Sequence, residues 1–449
     1  MPRDEMDFRG ALVEEVLPFW TRSVDREYGG FITEIDADGN RYGDGDKHVV
    51  MQGRNVYSFS LGYRVTGNRD YLEYAGQGVE FLRRHFHDEQ HGGWFRTTNR
   101  RGEPLDTTKF PYGIAFVILG LGEYCRASGD RSALELAVET YDLQRRHAWD
   151  HARGGIYWIL GRDWSPVDPS KRIDSMMHTM EGVSALLAAT GDRRYLDDLS
   201  ELCDTIVERT YDAEHGCTHE WFTPDWQEIT DRTRGLINYG HIAEAGWFVS
   251  AVASYTGNLA HLRFGRSLLG YVLRHGWDSH QGGIYSTGRP EGGPEDTTKS
   301  WWMQAEMLGG LSMAYRLTGD VLYLDWVRSQ ARFVYEKQRD ARVGEWHSAV
   351  HADGTVRDGR KGSAWKAAYH VSQGLYHADR NLAIFQERGI TAPGAPGAKW
   401  EDFALLGRHS AKRRVWQPPA AHFPVGRANC PWVSRCWSPA SRSSWGLNG

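Results

Sequence analysis

One short signal recurs along the chain about every 62 residues: Tyr28-Gly-Gly-Phe, His91-Gly-Gly-Trp, Arg153-Gly-Gly-Ile, His215-Gly-Cys-Thr, Gln281-Gly-Gly-Ile and Val343-Gly-Glu-Trp. The second position of each pair falls at Gly30, Gly93, Gly155, Cys217, Gly283 and Glu345, giving intervals of 63, 62, 62, 66 and 62. A second marker, Thr/Ser-Gly-Asn/Asp, is centred on Gly67, Gly129, Gly191, Gly257 and Gly319 and keeps the same phase, with intervals of 62, 62, 66 and 62. The shared 66 places a four-residue insertion between Cys217 and Gly257. Two markers in one phase define six units, and a repeat on this scale dictates architecture before any local reading.

Each unit reads as two helices. Ahead of each Gly-Asp turn runs a stretch that is apolar nearly all round, such as KFPYGIAFVILGLGEYCRASG from Lys109. After it comes an amphipathic stretch, such as YLDDLSELCDTIVERTY from Tyr195. The first kind should be buried and the second half-exposed. The turn glycine suits a left-handed C-terminal cap, and the Asp or Asn that follows can start the next helix. An open solenoid would need atypical polar capping units at both ends. The first and sixth units look ordinary, which favours closure. The expected fold is all-α, an (α/α)6 barrel with short β-hairpin loops, forming one domain over residues 1–386.

The stretch 387–449 is different. It holds 7 of the 16 prolines and nine basic against three acidic residues, without helical periodicity. It reads as an irregular tail of charge +6 on a chain whose total is −5. No basic cluster suggests a nucleic-acid partner. No apolar run approaches a membrane span, and the first residues, MPRDEMDFRG, are not a signal peptide. The five cysteines show neither a disulfide framework nor CxxC spacing. These features point to a cytoplasmic protein.

Residues at the starts of the inner helices would line one end of the ring. Thirteen positions before each turn glycine stand Arg54, Phe116, His178, Glu244 and Glu306. Four of these five are ionisable, inside helices otherwise apolar, and such groups are buried at a cost unless paired or used. His241 lies one turn before Glu244 and Glu181 one turn after His178, while the sixth inner helix brings His370. Three histidines with an arginine suit proton transfer near neutral pH, the arginine stabilising an oxyanion. The two His-x-x-Glu pairs could also be metal ligands, but the Glu-x-x-His and His-Glu-x-x-His orders of known metal sites are missing. Tyr112, Trp301, Trp302 and Trp365 offer flat faces for a sugar ring. Asp-Thr-Thr-Lys occurs at 106–109 and 296–299, each time before an inner helix, and reads as a helix-start cap.

Taken in order, LPFWTRSVDREYGGF (17–31), GRNVYSFS (53–60), LDTTKFPYGIAF (105–116), SMMHTMEG (175–182), YGHIAEAGW (239–247), KSWWMQAEM (299–307) and WKAAYH (365–370) resemble the N-acylglucosamine 2-epimerase superfamily. That superfamily includes cellobiose and mannobiose 2-epimerases and mannose isomerases. The resemblance spans nearly the whole barrel. It implies chemistry at C2 of a reducing sugar through an enediolate, with no required metal or cofactor and a small-molecule sugar as partner. A homodimer stays open. His241 and His370 match the family's acid/base pair on opposite faces of C2, His178 a third site histidine, and Arg54 the arginine that holds the enediolate oxygen. Tyr112, Glu244, Trp302, Glu306 and Trp365 match substrate-contacting or orienting positions. Asp174 stands where the family carries asparagine, and Ile114 where it often carries glutamine.

The reading is a sugar 2-epimerase acting on a glucose- or mannose-type reducing sugar, free or at the end of a disaccharide. An aldose–ketose isomerase on the same scaffold is the alternative, since the two differ only in where the proton returns. An inverting glycoside hydrolase is more distant. It would need two carboxyl groups about 6.5–9.5 Å apart, for which Glu244 and Glu306 are available, and would leave the histidines without a role.

Overall fold

The computed structural model describes residues 4–387; the tail expected over 387–449, with Cys430 and Cys436, lies outside these residues but for Glu387. The described chain is mostly helical. Helix α1 spans residues 8–20, as α-helix at Phe8–Ala11 and Leu17–Trp20 with a π turn at Leu12–Val16 between. Then inner and outer helices alternate. The inner ones are α2 (Val49–Thr66), α4 (Pro111–Ser128), α6 (Ile173–Thr190), α8 (Tyr239–Thr256), α10 (Trp301–Thr318) and α12 (Tyr369–Glu387). The outer ones are α3 (Arg69–Phe81), α5 (Arg131–His147), α7 (Arg194–Arg209), α9 (Leu259–His275) and α11 (Val321–Phe333).

The turn glycines behave as their spacing implies. Gly67, Gly129, Gly191, Gly257 and Gly319 all have φ between +69° and +80°, and each amide donates to the carbonyl four residues back. Nothing lies near a side chain built on Gly67, so its backbone conformation and not crowding selects glycine there. Asn68, Asp130, Asn258 and Asp320 then cap the outer helices by accepting from amides of the first turn.

Burial follows the hydrophobic pattern. Residues 49–62 of α2 and 111–123 of α4 are buried on every face, whereas the outer helices bury one stripe. Each inner helix packs on the next, α2 on α4, α4 on α6 and so on, and α12 packs back on α2. A Cβ at Gly53 or Gly120 would run into backbone of the facing helix, so these glycines let α2 and α4 approach closely. The sixth unit differs from the expected pattern in one respect. Its inner helix α12 is followed by no outer helix among the described residues, and α1 packs against it. The two ends of the described chain thus complete one hairpin.

Short antiparallel sheets link neighbouring units at the end where inner helices begin. Lys47–His48, leading into α2, pairs with Thr97–Thr98 ahead of α4, Lys47 opposite Thr98 and His48 opposite Thr97. Pro166–Arg172, leading into α6, pairs with Trp221–Phe222, and Ile237–Asn238 pairs with Thr287–Gly288.

Beneath this seam a buried ion pair repeats. In five of the six units the aspartate four residues before the glycine turn caps it with Oδ1 and receives a lysine on Oδ2. The pairs are Asp25–Lys47 (3.1 Å), Asp88–Lys109 (2.8 Å), Asp150–Lys171 (2.9 Å), Asp278–Lys299 (2.7 Å) and Asp340–Lys361 (2.9 Å). Lys109 and Lys299 close the two Asp-Thr-Thr-Lys motifs, so these motifs are more than helix-start caps. Their aspartates form Asx turns, Asp106 Oδ1 accepting from Thr108 N and Asp296 Oδ1 from Thr298 N, while their lysines fasten the neighbouring turn.

Candidate active site

The first two turns of the inner helices bring ten predicted residues into one network. Arg54 stands in α2, Tyr112 in α4, Asp174 and His178 in α6, His241 and Glu244 in α8, Trp302 and Glu306 in α10, and His370 in α12 with Trp365 just ahead of it. Eight are buried; Trp302 is half-buried and Trp365 is exposed.

Arg54 is held by donation to the Trp365 carbonyl (2.6 Å) and the Tyr112 hydroxyl oxygen (2.8 Å). Its guanidinium also lies 4.2 Å from the Phe116 ring centre and 5.1 Å from that of Tyr369. Arg54 Nε has no hydrogen-bond partner, leaving a buried donor unspent.

Each of the three histidines has Nδ1 bound to a carboxylate: His178 to Glu181 (2.7 Å), His370 to Glu306 (2.6 Å) and His241 to Glu220. Such pairing fixes the ring and leaves Nε2 for chemistry. Trp302 links two of them, its ring centre 4.8 Å from that of His241 and 5.7 Å from that of His370. His178 lies 4.9 Å from Tyr112 and 6.4 Å from His370, ring centre to ring centre.

The His-x-x-Glu spacing therefore describes only one of its two pairs. His178 does bind Glu181, but Glu244 does not bind His241. Its Oε1 lies 3.7 Å from His178 Nε2 and makes no hydrogen bond. The partner of His241 comes from outside the helices. Glu220 precedes the strand Trp221–Phe222 and is also approached by Arg172 at 3.7 Å, which in turn pairs with Asp174 at 2.9 Å. Sequence reasoning missed Glu220 and Arg172, because one lies in the loop before a strand and the other at a strand end, and the helical count from the turn glycines passes over both. It also missed Tyr369, whose hydroxyl donates to Glu181, and Trp247, whose Nε1 donates to Glu306 at 2.8 Å. Trp301, expected among the sugar-facing rings, lies 5.3 Å from the Lys366 ammonium.

Electrostatics divide the histidine pairs. Burial, reinforced by Arg54, pushes His178 and His370 well below the ordinary histidine range, so both are neutral at pH 7. Burial, with the Glu181 charge nearby, raises Glu306 well above the carboxylate range. Glu244 is raised too, by burial first and then by Glu306, Glu181 and Asp174. Burial would raise Glu220 as well, but His241 and Arg172 outweigh it and hold the carboxyl at about 2. Glu220 is therefore an anion beside His241. His370 is a neutral imidazole hydrogen-bonded to a carboxyl group that burial keeps from ionising readily.

Donor atoms of Glu244, Glu306 and His370 lie within 4.8 Å of one another, a spacing a divalent cation could also use, although the Glu306–His370 hydrogen bond already engages two of the three.

Two carboxylate-fixed histidines beside one tryptophan, with an arginine buried close by, are the equipment of an enzyme that moves protons. The model of the N-acylglucosamine 2-epimerase (GlcNAc 2-epimerase) family matches residues 30–374, and the chain belongs to that family. The cellobiose 2-epimerase of Bacteroides fragilis is 30% identical over 381 residues, covering 82% of this chain and 96% of that protein. The D-mannose isomerase of Marinomonas mediterranea is 25% identical over 391 residues, covering 85% of this chain and 98% of that protein. Among solved structures, the cellobiose 2-epimerase from Spirochaeta thermophila superposes with a TM-score of 0.78 at 30% identity, covering 85% of this chain and 97% of that one. No helix among the described residues is long and apolar enough to cross a membrane.

Proposed function

We propose that the chain is a sugar 2-epimerase, built as a single (α/α)6 barrel domain over residues 1–386, that interconverts C2 epimers of a glucose- or mannose-type reducing sugar. The observation that carries this reading is the pair of histidine–carboxylate dyads, His370–Glu306 and His241–Glu220, both flanking Trp302.

With the sugar open, neutral His370 takes the C2 proton on Nε2 while its Nδ1 stays hydrogen-bonded to Glu306. The C2–H electrons form the enediolate, and the charge on its oxygen is stabilised by Arg54. His241, its ring fixed by Glu220, returns a proton to the opposite face of C2. In the reverse direction the two histidines exchange roles. His178 and Glu244 serve the oxygen-bound protons, while Tyr112, Asp174, Trp302 and Trp365 hold the ring.

The D-mannose isomerase likeness supports a second reading, in which the same enediolate is protonated at C1 to give a ketose. The inverting-hydrolase reading loses its geometry. Oxygens of Glu244 and Glu306 lie within 4.8 Å of each other, closer than the roughly 6.5–9.5 Å that an inverting pair needs.

The test is proton NMR of the protein with D-mannose, D-glucose, cellobiose or N-acetylmannosamine in D2O. Deuterium at C2 with a new C2 epimer is expected; a ketose signal supports the isomerase; absence of exchange with all four refutes the assignment for these sugars.

A further inference from the structure

Five of the six glycine-pair turns are fastened by a buried lysine, and the fourth is not. Asp212 occupies the position of Asp25, Asp88, Asp150, Asp278 and Asp340. Its Oδ1 accepts from the amides of Glu214 and His215, as its counterparts do in their own turns. Among the described residues its Oδ2 meets no lysine. There His215 places Nδ1 at 2.6 Å and His219 places Nε2 at 3.3 Å. Cys217 replaces the second glycine of the pair and is fully buried. One donor atom each from Asp212, Cys217 and His219 lies within 4.8 Å of the other two.

The second ring nitrogen of His219 is engaged as well, Nδ1 lying 2.9 Å from Glu228 Oε1. A carboxylate behind one nitrogen orients the other toward the cluster, the arrangement that accompanies metal-bound histidine. An ion pair of Asp212 with His215 would replace the missing lysine charge. It would not account for a cysteine in a glycine position, nor for a second histidine buttressed from behind.

The donor types set the class of ligand. Carboxylate, thiolate and imidazole together suit Zn2+ and similar borderline cations, not Mg2+ or Ca2+. Metal–ligand bonds of about 2.0–2.3 Å put the donors of a tetrahedral site about 3.3–3.8 Å apart. Asp212 and His219 already stand at that distance, 3.3 Å, and the Cys217 thiol lies within 4.8 Å of both. Asp212, His215 and His219 are partly exposed, which gives a cation a path in.

We propose that the fourth turn is a structural site for a Zn2+-class cation, with Asp212, Cys217 and His219 as ligands and His215 or a water molecule closing the tetrahedron. The cation takes the place the lysine holds in the other five turns. Binding converts the Cys217 thiol to a metal thiolate and releases one proton to solvent. Because His219 adjoins Glu220, the cation would anchor the segment that presents Glu220 to His241.

The test is titration of chelator-treated full-length protein with Co2+, read by the ultraviolet thiolate-to-cobalt band and the visible bands of a tetrahedral ion. One equivalent per chain is expected, displaced by Zn2+, with the thiolate band lost in Cys217→Ser, which keeps every other cysteine. Absence of the band, or its persistence in Cys217→Ser, overturns the site. Should Cys217→Ser fail to fold, X-ray absorption of the Zn2+-loaded native chain decides. One sulfur at about 2.3 Å with nitrogen and oxygen at about 2.0–2.1 Å supports the proposal, and a shell without sulfur overturns it.

Discussion

Glu220 binds His241 Nδ1 across 21 residues, so a strand-loop carboxylate sets the ring of a histidine in the first turn of α8. Loss of that carboxylate would remove the orientation of the ring. Glu220→Gln is expected to lower kcat for C2 epimerisation by about 10²–10³-fold with a smaller change in KM, within the range of general acid–base contributions. Steady-state kinetics in both directions would check it.

The same pairing predicts a pH signature in stability. The Glu220 carboxyl is held at about 2 in the folded chain, against an ordinary value of 4.5. A depressed folded value means that the stabilisation is fully present above pH 4.5 and disappears as pH falls toward 2. The gap in thermal midpoint between the native chain and Glu220→Gln should therefore be constant above about pH 5 and narrow below about pH 4.5. A gap that stays constant down to pH 3 would contradict the assignment. Calorimetry at several pH values makes the comparison.

Two bases on opposite faces of C2 make a face-specific prediction. In His241→Asn, His370 can still remove and return the C2 proton of one epimer, so deuterium should wash in without epimerisation. In His370→Asn the same should hold for the other epimer alone. Epimerisation should fall by at least about 10³-fold in each, reflecting loss of one general acid–base group. Exchange in both epimers with either variant would remove the two-base scheme. Separate incubation of each epimer in D2O, followed by NMR, is the measurement.

Much of this site was legible because it rides on helices of fixed phase. Counting back from Gly67, Gly191, Gly257 and Gly319 reaches Arg54, His178, Glu244 and Glu306, and all four are buried in one network. Helical phase could not reach Glu220, in the loop just before the strand Trp221–Phe222, or Arg172, at the end of a strand whose register is set by cross-unit pairing, Arg172 opposite Trp221. Nor could spacing on one helix face say which carboxylate pairs with His241, since Glu244 shares its face while Glu220 reaches its Nδ1 from another element. The Asp–Lys pairs were readable in principle, because an aspartate precedes every glycine pair by four residues and a lysine follows 21 or 22 residues later in five units. A lysine in an otherwise polar loop gives no local sign of burial. The outer partner of α12 was hidden for another reason: it sits at the opposite end of the described chain.

Arg54 offers a test of charge against geometry. Its guanidinium bridges the Trp365 carbonyl and the Tyr112 hydroxyl while lying against two aromatic rings. Lysine keeps the charge but not the planar fork, and its hydration is harder to give up. Arg54→Lys is expected to reduce kcat/KM by about 10²–10³-fold, comparable with loss of one oxyanion donor. Arg54→Met should be at least as damaging. Near-native activity in Arg54→Lys would show that charge alone suffices.

The repeated ion pairs predict a stability pattern that distinguishes a fastening from a mere surface contact. Lys299 is completely buried and donates to Asp278 at 2.7 Å as well as to the carbonyls of Gly282 (2.6 Å) and Ala352 (3.2 Å). Lys299→Met leaves the Asp278 carboxylate buried without its cation, which should cost about 3–5 kcal/mol. Asparagine at position 278 can still accept from the amides of His280 and Gln281 through its side-chain oxygen, as Asp278 does now, while bringing no charge. The double variant Asp278→Asn/Lys299→Met should therefore recover at least about half of the loss, since a neutral pair avoids the isolated buried charge. Denaturant unfolding of the native chain, the two single variants and the double variant gives the coupling directly. If the double variant is no more stable than Lys299→Met, the two donations to backbone carbonyls, and not the ion pair, hold the turn.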